Sequence, residues 1–195
     1  MTAAVQGRRK EQKAKKPKQV EKLHDIDMVI FDLDGTFYDK RGLAKRMVRR
    51  LWWCLPLMAI DRVAKGRCWR WIVSTRWHRQ VYLPMMVELI KTTCPRREEV
   101  VALFEQCKAK GLQTAIYSDY GCVEEKLQAL HIDPKAFDLI ITAPELGGLK
   151  PSPACAQQVL SRLNANPMNT LFVGDREEKD GAAARAVGAK FLLIT

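Results

Sequence analysis

The sequence predicts an α/β fold, a Rossmann-like parallel sheet of five strands with a small helical insertion. Two observations predict the sheet. Five short apolar runs rich in strand-forming residues recur along the chain, and segments with helical apolar spacing separate the later runs. Strands that alternate with helices form parallel sheets whose faces those helices cover. A third observation, one unusually long connection, predicts the insertion.

The expected elements follow from these runs and spacings. The first strand, 28–31, reads MVIF and ends at Asp32. Segment 96–110 has one apolar side and is stopped by Gly111, which is typical of a helix. Because ligands bind at the carboxyl ends of parallel strands, the polar residues that end these runs should gather at one edge. The other expected strands are 115–117, 139–142, 171–173 and 191–194, and the other expected helices are 123–130, 152–163 and 180–187.

The connection after the first strand defines the domain organisation. About 75 residues separate Thr36 from the second strand, far more than one crossover helix needs. We expect residues 40–93 to form an inserted helical cap, which holds all five tryptophans. Residues 23–39 and 94–195 then form the α/β core, and the Lys-rich residues 1–22 are expected to be a disordered basic tail.

The positive charge is concentrated in two places. The formal net charge is +11, yet residues 1–22 carry +6 and residues 39–80 carry +10, which leaves the remainder at −5. Such asymmetry favours contact with an anion, whether a phosphorylated substrate, nucleic acid or lipid headgroups. The alternative is a solvated arm that only aids solubility.

Composition also excludes several classes of protein. The six cysteines form no CxxC pair, so reduced thiols are expected rather than a disulfide framework or a zinc site. No apolar run follows the charged N-terminal stretch, and none reaches the length of a membrane span, so neither a secretion signal nor a transmembrane segment is expected. We therefore expect a cytoplasmic protein, with peripheral attachment at the inner membrane surface as the alternative. Because the sequence ends on the fifth strand, that sheet edge is expected to be bare or covered by a partner.

Two carboxylates directly after the first strand are the main candidates for chemistry. Asp32 and Asp34 lie two residues apart, and Gly35 would let the backbone turn tightly behind them. Close carboxylates bind a divalent cation well, and oxygen ligands suit Mg²⁺. One carboxylate can attack as a nucleophile while the other handles protons. The alternative is a capped turn, where Asp and Gly are common.

Four further residues could complete such a site. Ser118 ends the second strand, where its hydroxyl could hold a phosphate oxygen or merely cap the strand. Lys150, after the third strand, could neutralise phosphoryl charge, although an exposed lysine is the default. Asp175 could complete the metal site, and Asp180 lies at the start of the next helix, where an N-cap is the alternative.

Taken in order, these motifs resemble the haloacid dehalogenase (HAD) superfamily over residues 27–195. DLDGT at 32–36 and GDREEKD at 174–180 are the specific matches, with Ser118 and Lys150 between them. The resemblance implies a role for each residue. Asp32 attacks phosphorus and forms an aspartyl-phosphate, and Asp34 protonates the leaving group and then activates water. The phosphoryl group is bound by Thr36, Ser118 and Lys150, and Mg²⁺ is held by Asp32, Asp34 and Asp175 with support from Asp180.

The resemblance also limits which reactions of the superfamily are expected. Dehalogenases of the superfamily lack an aspartate at the position of Asp34, and transport ATPases carry threonine there, so phosphatases and phosphomutases are favoured. Nothing indicates a second transfer, so we expect a Mg²⁺-dependent phosphomonoester hydrolase that acts on a small phosphorylated metabolite. Residues 40–93 match the family's C1 cap position, although their Arg/Trp content departs from the usual pattern.

The Arg/Trp content of the cap leaves three interpretations open. It could bind nucleotide or nucleic acid, lie on an anionic membrane, or form an ordinary amphipathic cap with tryptophan inward. Exposure of Trp52, Trp53 and Leu57 would favour the membrane. Arg49, Arg50, Arg67 and Arg70 facing the site would favour a polyanionic substrate. A basic binding module with vestigial catalysis is a further alternative.

Overall fold

The computed structural model describes residues 25–52 and 76–195 of the chain. The expected tail at 1–22 and the middle of the expected cap, 53–75, lie outside the described residues. Within the described residues the architecture is a parallel sheet flanked by helices, which confirms the predicted α/β fold class.

The sheet has five parallel strands in the order β3-β2-β1-β4-β5. Two strands coincide with the expected runs at 28–31 and 139–142, while the others differ from their runs by one or two residues at each end. This agreement arises because short, fully buried strands are continuous apolar runs. The strands are β1 (Met28–Phe31), β2 (Gln113–Ser118), β3 (Leu139–Thr142), β4 (Thr170–Gly174) and β5 (Lys190–Leu193).

Helices connect the strands and cover both faces of the sheet. The last expected helix begins differently from the prediction, because a π-helical turn, Glu177–Gly181, precedes its α-helical part. The helices are α1 (Leu43–Arg50), α2 (Leu83–Thr93), α3 (Glu98–Ala109), α4 (Val123–Ala129), α5 (Pro153–Arg162) and α6 (Ala182–Ala186); a second π-helical turn, His78–Tyr82, leads into α2, and 3-10 turns lie at Pro134–Ala136, Ala143–Leu146 and Pro167–Asn169.

Strand β1 lies at the centre of the sheet and is buried along its whole length. Its side chains alternate between the two faces, as the pleat of a strand requires. Val29 and Phe31 join a larger core cluster that includes a group of packed aromatic rings, while Met28 and Ile30 join a second cluster on the opposite face. The residue that follows β1 is therefore held by packing on both sides.

The described ends of the insertion pack into the core. Helix α1 contributes Leu43 and Met47 to the larger core cluster, and α2 contributes Leu89 and Ile90. Helix α2 also contacts α4, which follows β2. The boundaries of the cap at 40 and 93 stay a prediction, but its described flanks share one hydrophobic core with the sheet.

None of the helices formed by the described residues is both long and apolar enough to cross a membrane.

A histidine is buried where the insertion meets the core. His78 is 4% exposed and stacks on Tyr82, with ring centroids 5.2 Å apart. Burial, together with the charges of Lys126 and Arg79, lowers the pKa of His78 from 6.5 to about 4. The folded protein therefore holds this imidazole neutral in a pH range where the unfolded chain would protonate it.

This burial predicts a loss of stability in mild acid. His78 contributes fully above about pH 6.5, and its contribution is lost as pH falls toward 4, at a total cost of roughly 2–3 kcal/mol. Urea denaturation at several pH values should show a shallower decline in His78→Gln than in the wild type. The control is His131→Asn at an exposed position, which should keep the wild-type slope. Parallel slopes in wild type and His78→Gln would contradict the prediction.

Candidate active site

The carboxyl ends of three adjacent strands bring the predicted residues together. Asp32 follows β1, Ser118 is the last residue of β2, and Asp175 follows β4. Because β1 lies between β2 and β4, the three positions are neighbours at one edge of the sheet. Asp32 and Asp175, but not the fully buried Ser118, line one small cavity with residues from the loops behind them. The lining residues are Asp32, Asp34, Lys40, Asp119, Tyr120, Lys150, Asp175, Arg176, Lys179 and Asp180.

Lys150 forms the central ion pairs of this cavity. Its ammonium lies 2.6 Å from Asp32 Oδ1 and 2.7 Å from Asp180 Oδ1, and its side chain is only 3% exposed. The backbone N–H of Lys150 donates to Asp119 Oδ1 at 2.8 Å, which fixes the loop that carries it. Lys150 therefore contacts carboxylates from segments that follow three different strands.

Burial and charge act on Asp32 in opposite directions. Burial, reinforced by the negative charges of Asp180 and Asp34, raises the pKa of Asp32 to about 7, although Lys150 opposes this rise. Burial alone would lower the pKa of Lys150, but the surrounding carboxylates raise it, so the ammonium stays charged. A further cation beside Asp32 would favour its carboxylate form.

Asp34 is enclosed by hydrogen-bond donors. Lys126, fully buried on α4, donates to both carboxylate oxygens, at 2.8 Å and 3.0 Å. Tyr38 donates its hydroxyl to Oδ1 at 2.5 Å, and Ser118 donates its hydroxyl to Oδ2 at 3.0 Å. The Ser118 hydroxyl, which the sequence assigns to a phosphoryl oxygen, is thus bonded to Asp34 in this structure.

These donors hold Asp34 in its ionised form. Burial alone would raise the pKa of Asp34, but the charge of Lys126 and the hydrogen bonds from Lys126, Tyr38 and Ser118 together lower it. The same contact raises the pKa of Tyr38 well above 10, because burial and the adjacent carboxylate both disfavour a phenolate. Asp32 and Asp34 lie in contrasting environments, which is typical of carboxylate pairs with different roles.

The turn after β1 is shaped by Gly35 and Thr36. Thr36 donates its hydroxyl to Asp32 Oδ2 at 3.1 Å and so helps to orient this carboxylate. Gly35 has a φ of 101°, and a Cβ at this position would lie 2.5 Å from Asp175 Oδ2 and 2.6 Å from Lys40 Nζ. A side chain would therefore fill the space between the backbone of the turn and Asp175.

That space has the character of a cation site. Asp32, Asp175 and Asp180 each offer a carboxylate oxygen, and these oxygens lie within 4.8 Å of one another. Asp175 Oδ1 is buried and has no hydrogen-bond partner among the described residues. The backbone carbonyl of Asp34 faces the same space, where it accepts a hydrogen bond from Lys40. Carboxylate and carbonyl oxygens are the donor set that Mg²⁺ prefers, so the residues present fit such an ion.

The rim of the cavity carries further paired charges. Lys179 lies 2.6 Å from Asp119 Oδ2, and Lys40 lies 2.6 Å from Asp175 Oδ2. Both lysines are partly exposed, unlike Lys150. The site thus combines closely spaced carboxylates with ammonium groups that offset their charge, an arrangement suited to an anionic substrate and a divalent cation.

The site also holds residues outside the predicted set, among them Lys126, Tyr38, Asp119 and Lys40. Lys126 had a detectable signal, because it lies between Val123 and Leu127 on the apolar side of a helix, where an exposed lysine is not expected. Tyr38, Asp119 and Lys40 had none, because Tyr, Asp and Lys in turns are ordinarily solvated.

Fold and site together define a protein with a five-stranded parallel sheet and a cluster of carboxylates at the carboxyl edge of its strands. Residues 26–188 match the family model described as haloacid dehalogenase-like hydrolase, and the chain belongs to this family. The family shown is the one that the DLDGT and GDREEKD motifs indicate.

Relatives and solved structures agree with this assignment. The chain is 27% identical over 160 residues to haloacid dehalogenase-like hydrolase domain-containing protein 3 of Xenopus laevis, covering 82% of this chain and 64% of the relative. The chain thus spans less than two thirds of that relative's length. A HAD phosphatase from Thermococcus onnurineus superposes with a TM-score of 0.64 at 18% identity, covering 87% of this chain and 86% of that one. CbbY from Rhodobacter sphaeroides, in complex with xylulose-(1,5)-bisphosphate, gives 0.68 at 20% identity, covering 86% and 85%. At these identities the structural likeness concerns the fold.

The enclosure of Asp34 predicts a large stability effect at Lys126. Lys126→Met leaves a buried carboxylate without its cation, which should lower the free energy of unfolding by about 3–5 kcal/mol. The double variant Lys126→Met/Asp34→Asn should recover a substantial part of this loss, because no unpaired buried charge remains. Urea denaturation at pH 7 measures both changes.

The matched control for Lys126 is Lys108→Met. Lys108 forms a surface ion pair with Asp138 at 3.6 Å, so its loss should cost about 1 kcal/mol or less. Equal effects at Lys108 and Lys126, or a double variant no more stable than Lys126→Met alone, would contradict the importance of the Lys126–Asp34 pair.

Proposed function

We propose that this protein is a Mg²⁺-dependent phosphomonoester hydrolase that forms an aspartyl-phosphate on Asp32. The observation that carries the proposal is the position of Asp32, which lines the cavity at the end of the central strand with Lys150 2.6 Å away. Thr36 orients the second oxygen of the same carboxylate. A fixed carboxylate beside a permanent cation is well suited to attack an anionic phosphoryl group.

In the first half of the reaction, an oxygen of Asp32 forms a bond to phosphorus while the bond from phosphorus to the ester oxygen breaks. The departing alkoxide takes up a proton from solvent water or from an Asp34 carboxyl that has first been protonated, and no electron is gained or lost overall. Lys150 offsets the negative charge that builds up on the phosphoryl oxygens. Leaving groups that are stable as anions need no proton donor at this step.

In the second half, a water oxygen attacks phosphorus and the bond to Asp32 breaks, which releases inorganic phosphate. Asp34 is the candidate base that removes the proton of this water, because it lines the cavity two residues from the nucleophile. Its ionised state supports this role. A role for Asp34 as proton donor in the first half requires that it first gain a proton, against the effect of Lys126 and Tyr38.

A divalent cation is part of the proposal. Asp32, the backbone carbonyl of Asp34 and Asp175 would hold it, with Asp180 close by. The unpartnered Asp175 Oδ1 supports this assignment, as does the glycine at position 35, which lets Asp175 approach the turn closely. When bound, the cation would reduce the repulsion between an attacking carboxylate and an anionic phosphate.

The proposed substrate is a small phosphorylated metabolite. The cavity is lined by lysines and an arginine as well as carboxylates, which suits a phosphate group. CbbY, whose fold this chain shares, was solved with a sugar bisphosphate, which supports the same class of substrate. Phosphate-binding roles for Thr36 and Ser118 belong to this proposal.

We propose, as a second candidate drawn from the composition of the basic, Trp-rich insertion, peripheral attachment to an anionic membrane. Trp52 is 68% exposed, and Arg49 and Arg50, which precede it in the sequence at the end of α1, are exposed as well. An exposed tryptophan next to arginines is typical of a membrane interface. Trp53 and Leu57, whose exposure would also favour a membrane, lie outside the described part of the chain.

The proposed nucleophile predicts a specific loss of activity in Asp32→Asn. Hydrolysis of p-nitrophenyl phosphate should require Mg²⁺ and fall at least about a thousandfold in this variant. The control is Asp39→Asn, in the same turn, whose carboxylate pairs with Arg41 outside the cavity and whose loss should leave activity intact. Equal activity in wild type and Asp32→Asn would refute Asp32 as the nucleophile.

The proposed base predicts that the second half of the reaction fails in Asp34→Asn. With an aryl phosphate this variant should release nitrophenol in a single stoichiometric burst and accumulate the phosphoenzyme, which mass spectrometry of the quenched protein detects. The variant Asp34→Asn/Lys126→Met, which lacks the unpaired buried ammonium, serves where the single variant does not fold. A phosphoenzyme that turns over at the wild-type rate would contradict this role of Asp34.

A further inference from the structure

The ammonium of Lys40 lies where the cation of the proposed site is expected. Its Nζ is 2.9 Å from the backbone carbonyl of Asp34 and 2.6 Å from Asp175 Oδ2. These are two of the oxygens that would hold a divalent ion, and an ammonium at such distances satisfies both. A Cβ on Gly35 would meet this same ammonium, which shows how closely it approaches the turn after β1.

Two ammonium groups contact the carboxylate cluster of Asp32, Asp175 and Asp180, but they differ in how deeply they are buried. Lys150 is 3% exposed and bridges Asp32 and Asp180, so it cannot leave without unpairing buried carboxylates. Lys40 has a side chain that is 38% exposed and reaches the cluster from the rim. Only the second of these lysines has an open route by which its charge can move into solvent.

We infer that Lys40 is a tethered competitor of the divalent cation and sets the affinity of the site for it. This inference rests on the metal site of the proposed function. The ammonium compensates the charge of Asp175 and donates to the Asp34 carbonyl when the metal is absent, and it withdraws to solvent when the metal binds. Because it is attached to the same turn, its effective concentration at the site is high, on the order of millimolar or more.

The competition has a clear consequence for metal binding. A divalent ion gains its contacts with Asp175 and the Asp34 carbonyl only after those contacts with Lys40 are broken. The wild-type affinity for Mg²⁺ is therefore lower than the same oxygens would give alone. Lys40 thereby acts on the reaction through the metal rather than through the phosphoryl group.

The experiment is titration of Mg²⁺ into wild type and Lys40→Met by isothermal calorimetry, in the absence of substrate. Methionine keeps the length of the side chain but removes its charge, so Lys40→Met should bind Mg²⁺ at least about tenfold more tightly. The matched control is Lys179→Met, which removes the same charge from the same cavity but not from the expected metal oxygens.

Each outcome of the titration decides between the proposals. Tighter binding in Lys40→Met alone, or binding that becomes measurable only in that variant, supports the competition. Equal affinity in wild type and Lys40→Met, or an equal gain in Lys179→Met, overturns it and leaves the metal site standing. The absence of binding in all three proteins overturns the metal site and this inference together.

A second measurement uses the wild-type chain and does not depend on the folding of a variant. Saturating Mg²⁺ should increase the rate at which an amine-acylating reagent modifies Lys40 by several fold, because the displaced ammonium becomes accessible. Peptide mass mapping measures this rate, and Lys179 provides the internal reference. An unchanged ratio of Lys40 to Lys179 labelling would contradict the displacement.

Discussion

The structure depends on compensating the charges of carboxylates that a parallel sheet brings to one edge. Buried charges are costly unless they are paired, so such an edge needs cations in fixed positions. Lys150 supplies one, and its contacts with Asp32, Asp180 and Asp119 connect segments from three strands. The pairing that makes the acidic edge stable is thus the same pairing that would steady a nucleophile.

Lys126 compensates the charge of a second carboxylate, Asp34, from a fully buried position behind the cavity. A fully buried lysine whose ammonium contacts both oxygens of Asp34 makes the ionised state of that carboxylate part of the fold. This arrangement favours a base over an acid at Asp34. The chemistry available to the two aspartates therefore differs because of their surroundings, although they lie only two residues apart.

Much of the fold could be predicted because it follows from local patterns. Buried parallel strands are apolar runs, and the rule for their carboxyl ends places Asp32, Ser118 and Asp175 at one edge, as the structure does. The contacts of Lys126 and Lys40 could not be predicted, because their partners are 92 and 6 residues away in sequence and depend on side-chain direction. The roles assigned to Thr36 and Ser118 stay predictions. The extent of the cap at residues 40–93 also stays a prediction, because its described flanks pack into the same core as the sheet.

The central position of β1 has a consequence for how local opening affects this protein. Interior strands are the last parts of a sheet to exchange their amide hydrogens, whereas rims and loops open at far lower free energy. Asp32 follows the strand with hydrogen-bonded neighbours on both sides, and its own N–H donates to Val173 at 2.8 Å. Residues at the rim can therefore fluctuate, exchange solvent and admit a ligand while the backbone of Asp32 stays in a protected cooperative unit of the sheet.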